Sequence, residues 1–176
     1  MRRIVVLSLC LLLAATVSGA AAAPIGLSVE VLKDPNLIAC PYCHKAIAPG
    51  EIGEDAEDIL STEMGGSLDE KGFDHTGGKN AARGLDVFIY RFQERMGGSI
   101  GAEKPASVGF HVHLRERGKV ANVFVFDETQ RPLSENVLAL PVFVKRGAKW
   151  ITAAELAREG VHKAIGLFAN DLIESK

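Results

Sequence analysis

The sequence has few cysteines and few aromatic residues, and neither acidic nor basic residues are in large excess. It holds three cysteines, one tryptophan and 6% aromatic residues among 176 residues. Only two of the cysteines lie beyond residues 1–23, too few for a disulfide-dense scaffold. A chain of this length can build one hydrophobic core without disulfide bonds. Acidic and basic side chains are interspersed, which argues against a nucleic-acid surface. No internal repeat or low-complexity segment is present.

A second long apolar run is also missing. The first lies in residues 1–23, where Arg2 and Arg3 precede an apolar stretch and a cluster of alanines. This is the order of a secretory signal peptide, and its apolar part of about a dozen residues is shorter than the ~20 needed to span a bilayer. Cys10 follows Leu9 and not a small residue, so no lipid anchor is expected. We predict an exported, periplasmic protein that is soluble after cleavage.

Removal of the leader leaves 18 Lys and Arg residues against 22 Asp and Glu residues, a formal net charge of −4. The remaining chain divides into an extended lead-in at 24–36 and one domain at 37–176. Its cysteines are then Cys40 and Cys43.

The pattern of apolar residues predicts an α/β (α+β) fold, with a mixed sheet of about four strands and two or more helices packed on it. Strands are predicted at 37–40, 85–92, 106–114 and 120–126, the last one central because it is apolar on both faces. Helices are predicted at 55–71, ending at Gly72, and after Thr152, which forms a capping box with Glu155. Gly160 is expected to separate a short first turn from the longer helix.

Four phrases of the sequence carry a family resemblance. They are VFIYRFQER at 87–95, KPASVGFHVHL at 104–114, FDETQRPLSEN at 126–136 and WITAAELA at 150–157. The chain resembles a group of bacterial exported lipoproteins of unassigned role, similar to the curli secretion lipoprotein and penicillin-binding-protein-activator type of small α/β domain. The resemblance implies a non-catalytic scaffold, assembly or regulatory protein whose partner is another cell-envelope protein. It implies no catalytic residues, and the lipid-carrying cysteine of the group is missing here.

The motif with distinctive chemistry is Cys40-Pro41-Tyr42-Cys43-His44. Its C-x-x-C-H spacing is that of covalent haem attachment, with Cys40 and Cys43 as thioether ligands and His44 as axial ligand. No residue is singled out by spacing as the sixth ligand among Met64, Met96, His75, His111, His113 and His162. The alternative that we favour is a Cys40–Cys43 disulfide or a pair of buried thiols, with no cofactor; redox exchange and metal binding stay open as well.

Three further groups are weaker candidates. His111 and His113 share one face of a predicted strand and could hold zinc or copper, but no third ligand lies nearby in sequence, so we expect a solvated pair and no metal site. Acidic residues follow a strand end at Asp127, Glu128 and Glu135, where turn carboxylates are ordinary, so no catalysis is predicted. Trp150 is a candidate partner-binding residue, with packing before the capped helix as the alternative.

Overall fold

A computed structural model describes residues 23–97, 102–130 and 151–173, together with positions 141 and 144. These residues form one α+β domain, a mixed five-stranded sheet with two helices packed on it. The elements in chain order are β1 (Ile25–Val31), α1 (Ala56–Glu70), β2 (His75–Gly77), β3 (Arg83–Gln93), β4 (Met96–Gly97), β5 (Ala102–Lys104), β6 (Ser107–Glu116), β7 (Lys119–Thr129) and α2 (Ala153–Ile173).

The sheet has the strand order β2-β1-β3-β6-β7. Strand β1 runs parallel to β2 and β3, whereas β3, β6 and β7 are antiparallel neighbours. Strands β6 and β7 are joined by a two-residue turn in which Arg117 and Gly118 both have positive φ, 49° and 78°. Such a turn matches the twist of the strands that it connects. Strands β4 and β5 form a separate two-stranded ribbon.

One face of the sheet carries both helices and the main hydrophobic core. Alternate residues of β3 and β6 point to this face, because side chains alternate along a strand. The buried residues of the two strands in this core are Leu85, Val87, Ile89, Phe92, Val108, Phe110, Val112 and Leu114. Leu60, Met64, Leu156 and Phe168 meet them from the helices.

The opposite face is covered by residues 32–53, which have no helix and no named strand. Their apolar contact with the sheet is a small cluster of Cys40, Ile47, Phe88 and Tyr90. Backbone hydrogen bonds hold the segment at both ends, from Leu32 N to Ile89 O at 2.7 Å and from Gly50 N to Tyr90 O at 3.0 Å. The segment is therefore anchored on the sheet face that the helices leave uncovered.

Several sequence-based predictions are confirmed. The two helices lie where the apolar periodicity places them, and Gly72 ends α1 with a φ of 74°. The capping box of α2 is formed, with Thr152 N donating to Glu155 Oε2 at 2.9 Å and Glu155 N donating to Thr152 Oγ1 at 3.1 Å.

Other predictions are wrong. The segment expected as a lead-in contains β1, which pairs with two strands, whereas 37–40 forms only an isolated bridge from Ala39 to Ala46. Strand β7 lies at the edge of the sheet and not at its centre. Gly160 does not interrupt α2; a Cβ there would lie 2.7 Å from Phe126 Cγ, so glycine lets the helix approach the sheet closely.

Some predictions fall outside the described residues. Nearly all of the predicted signal peptide precedes residue 23, and Trp150 lies between described segments. No helix within the described ranges is long and apolar enough to cross a membrane.

Candidate metal centre

The segment over the second sheet face brings Cys40 and Cys43 to the two histidines of β6. The ligand atoms of Cys40, Cys43, His111 and His113 all lie within 4.8 Å of one another. Cys40 Sγ is 3.4 Å from His113 Nε2, and Cys43 Sγ is 3.4 Å from His111 Nδ1. Two motifs about 70 residues apart in sequence thus form one four-residue cluster.

A tight turn presents the two sulfur atoms. Cys40 N donates to Lys45 O at 2.8 Å, and His44 N donates to Cys40 O at 2.9 Å. His44 closes the turn with a φ of 58°, a conformation that histidine adopts more readily than most residues with a side chain. Cys40 and Cys43 lie in a turn. A thioredoxin-like cysteine pair would instead lie at the start of a helix.

Strand β6 presents the histidines. Residues 111 and 113 are two apart, so both rings project from the face opposite to the helices. Both side chains are completely buried. The expectation that this pair is solvated is wrong, because the segment 32–53 covers it, and the missing third and fourth ligands come from that segment.

The backbone fixes the orientation of one imidazole. His113 Nδ1 lies 3.0 Å from the carbonyl oxygen of Asp86 on β3, so Nδ1–H donates there and the Nε2 lone pair faces Cys40. A ligating histidine commonly donates its second ring N–H to a carbonyl in this way. Asp86 is itself held by Arg115, whose Nε lies 2.9 Å from Asp86 Oδ2.

The second imidazole has one unsatisfied nitrogen. His111 Nε2 is buried and has no hydrogen-bond partner among the described residues. The ring of Tyr90 packs edge-on against His111, with centroids 5.2 Å apart. A buried polar atom without a partner is costly, so this ring has the features of a functional group and not of a satisfied core residue.

Burial controls the protonation of the cluster. It lowers the pKa of His111 to about 4, with the neighbouring His113 as a second cause, and it also lowers the pKa of His113. Burial raises the pKa of the Cys40 thiol, against the opposing effect of the Cys43 and Tyr42 backbone N–H groups, which favour the thiolate. Both imidazoles are therefore neutral near pH 7, the form that binds metals.

The remaining candidate residues lie elsewhere. His44 is exposed and does not belong to the four-residue cluster. Asp127 is bound by Arg91 and accepts a hydrogen bond from Tyr90 at 3.0 Å, so it supports the sheet. Glu135 is outside the described residues.

Cys40 and Cys43 are free cysteines in the structure. A disulfide between them and the attachment of haem both stay predictions. C-x-x-C and H-x-H are separate motifs in the sequence; the signal that joins them is that each is half of a four-ligand set.

Comparison with known proteins gives weak similarities. No family model matches the chain, and no curated protein matches it. A solved PelC dodecamer from Paraburkholderia phytofirmans is 13% identical, with 81% of this chain and 85% of that chain covered and a TM-score of 0.49. A DUF330 protein from Xanthomonas campestris is 14% identical, with 85% and 90% covered and a TM-score of 0.46.

A minor lipoprotein from Acinetobacter baumannii is 12% identical, with 83% of this chain and 94% of that chain covered and a TM-score of 0.32. Similarity at this level does not extend to function. The likeness to the curli secretion lipoprotein and penicillin-binding-protein-activator type stays a prediction.

Proposed function

We propose that this protein is a non-catalytic metal-binding protein of the cell envelope, and that Cys40, Cys43, His111 and His113 hold one zinc ion. The observation that carries the proposal is that four sulfur and nitrogen donor atoms lie within 4.8 Å of one another. The cell envelope is the setting that the predicted signal peptide implies.

The geometry of the donors supports a tetrahedral ion. With Zn–S of about 2.3 Å and Zn–N of about 2.0–2.1 Å, a tetrahedron places sulfur and nitrogen roughly 3.6 Å apart. The Cys40–His113 and Cys43–His111 sulfur–nitrogen distances are 3.4 Å, and no two of the four donor atoms are more than 4.8 Å apart. The four side chains could therefore bind an ion after the more distant donor pairs move together by about 1 Å.

The donor set indicates which metals would bind. Two thiolates and two imidazoles suit Zn²⁺, and thiolates also select Cu⁺, whereas oxygen-seeking ions such as Mg²⁺ and Ca²⁺ are disfavoured. Four protein ligands fill a tetrahedral coordination sphere. A catalytic zinc site instead keeps one position open for water or substrate, so this set supports a role without catalysis.

The supporting contacts also favour binding. His113 is oriented by the Asp86 carbonyl, and the turn that carries the cysteines is closed by its own backbone hydrogen bonds. The segment 32–53 is anchored at both ends by β3. These contacts hold the ligand residues in place before an ion arrives, which lowers the entropy cost of binding.

The proposal is tested by titrating reduced, metal-free protein with Zn²⁺ and with Co²⁺. We expect one ion per chain, with a thiolate-to-cobalt charge-transfer band and the visible spectrum of a tetrahedral cobalt site. Cys40→Ser and His113→Ala should each abolish stoichiometric binding. Absence of binding in the wild-type protein, or unchanged binding in both variants, would refute the site.

His44→Asn is the matched control, because asparagine also accepts the positive φ of residue 44. His44 is exposed and adjacent to Cys43, so its loss should leave zinc binding unchanged. The alternative is a mono-haem c-type electron carrier, in which His44 would be an iron ligand and His113 would not be required by the motif. In that case loss of His44 should disrupt haem ligation and loss of His113 should not. The two variants therefore separate the two functions.

A further inference from the structure

The two halves of the cluster differ in burial and in support. Cys40 and His113 form an inner pair that is completely buried, and the ring of His113 is fixed by Asp86. Cys43 and His111 form an outer pair: His111 is also completely buried and its Nε2 lacks a partner among the described residues, but Cys43 is only half-buried. Cys43 is therefore the one ligand of the four that solvent reaches.

Tyr42 closes the inner side. Its ring lies 5.4 Å from the ring of His113 and 5.9 Å from that of Phe88, centroid to centroid. Its hydroxyl donates to Glu30 of β1, and Lys79 contacts Glu30 at 2.5 Å and lies 5.2 Å from the Tyr42 ring centroid. The turn is thereby tied to the sheet beside Cys40 and His113.

The outer side meets the edge of the sheet. His111 pairs across strands with Val125 of β7, and β7 has no strand neighbour on its other side in the described sheet. The Val125 side chain is 38% exposed. Solvent and small molecules can thus reach the cluster at the half-buried Cys43, on the sheet face that also carries the exposed Val125.

We infer that the metal enters and leaves the cluster by ligand exchange at Cys43, with an acceptor that supplies nitrogen or sulfur donor atoms. The inference rests on the proposed function. The donor atom of the acceptor bonds to the ion as the bond to Cys43 sulfur breaks, and the freed thiolate takes a proton from solvent. The ion keeps its oxidation state. Further donor atoms of the acceptor then replace His111, Cys40 and His113 in turn, and the freed Cys40 thiolate also takes a proton from solvent, so the bound metal is exchangeable.

The test follows zinc transfer from the loaded protein to an anionic chelating dye, 4-(2-pyridylazo)resorcinol, in a stopped-flow instrument. Exchange assisted by the acceptor predicts a rate that rises with dye concentration. Val125→Lys should speed transfer several-fold at low salt and Val125→Glu should slow it several-fold, because charge beside the opening attracts or repels the anionic dye. High salt should remove the difference.

Leu167, which is 53% exposed on α2, provides the control pair. Leu167→Lys and Leu167→Glu should not change the rate, since α2 covers the other face of the sheet. Tyr42→Ala should open the inner side, which would speed transfer and reduce its dependence on the charge at position 125.

The inference is overturned by a rate independent of dye concentration, or by Val125 variants that behave like the Leu167 variants. Zinc stoichiometry before mixing is measured separately for every variant. A wild-type protein that holds no zinc would refute the proposed function, whereas a loaded protein with the wrong rate pattern would refute only the exchange at Cys43.

Discussion

Cys40 and His113 are 73 residues apart in sequence, yet Cys40 Sγ lies 3.4 Å from His113 Nε2. The contact joins a turn above the sheet to a central strand within it. Because His113 Nδ1 already contacts Asp86 O, the imidazole can offer only Nε2 to the cysteine or to an ion that both residues share.

Zinc should stabilise the folded protein through this contact. An ion that binds only the folded state at a free concentration about 100 times its Kd adds about 2.7 kcal/mol to the free energy of unfolding. For a chain of this size, that corresponds to a rise in Tm of roughly 5–11 °C. Thermal unfolding of the reduced protein, with zinc and with a chelator, measures the difference.

Cys40→Ser should remove the zinc-dependent rise in Tm and His44→Asn should keep it. A rise of equal size in Cys40→Ser would mean that zinc acts at some other place on the chain.

The ion pair between Asp86 and Arg115 should matter for stability more than surface pairs do. Their side chains are only 13% and 11% exposed, and Arg115 Nε lies 2.9 Å from Asp86 Oδ2. Asp86→Ala leaves the guanidinium without its counter-ion, so we expect a loss of roughly 3–5 kcal/mol in the free energy of unfolding. Urea unfolding measures the loss.

The double variant Asp86→Ala/Arg115→Met removes the unpaired charge and should recover most of that loss. Zinc stoichiometry should stay at one, because His113 contacts the backbone carbonyl of residue 86 and not its carboxylate. A loss below about 1 kcal/mol in the single variant would place this pair with ordinary surface pairs.

Two glycines of α2 should respond oppositely to alanine. Alanine is favoured over glycine by about 0.8–1.0 kcal/mol in a helix, and nothing lies within 4 Å of a Cβ at Gly166, so Gly166→Ala should stabilise the protein by about that amount. A Cβ at Gly160 would lie 2.7 Å from Phe126 Cγ and 2.8 Å from Phe110 Cζ.

Gly160→Ala should therefore destabilise the protein by roughly 1–3 kcal/mol, the cost of forcing an extra carbon into a packed core. Equal responses of the two variants in urea unfolding would contradict the close approach of α2 to the sheet.

Local patterns predicted the elements whose structure depends on their own residues. The capping box of Thr152 and Glu155 and the end of α1 at Gly72 follow from side chains within a few positions of each other. The alternation along β6 was also correct, since Val112 and Leu114 lie in the core beneath the helices.

Predictions failed where distant segments decide the environment. His111 and His113 are polar residues on an alternating strand, a pattern typical of a solvated face, but residues 32–53 cover that face. Strand β7 is apolar on both faces and still lies at the edge, because its position depends on sheet order and not on composition. The four-residue cluster needs both the covering segment and the register of β6, neither of which periodicity shows.

The state of Cys40 and Cys43 in protein from its native source distinguishes the uses of the pair. We expect both thiols to be reduced and to be alkylated after denaturation without reductant, with one zinc ion per chain before denaturation. A disulfide would instead leave no alkylatable thiol until reductant is added, and the oxidised chain would be lighter by two hydrogen atoms. Covalent haem would add its own mass and a Soret band. Since the sulfur atoms of Cys40 and Cys43 each contact an imidazole nitrogen at 3.4 Å, zinc is the outcome that the arrangement favours, and a colourless, zinc-free disulfide form would contradict it.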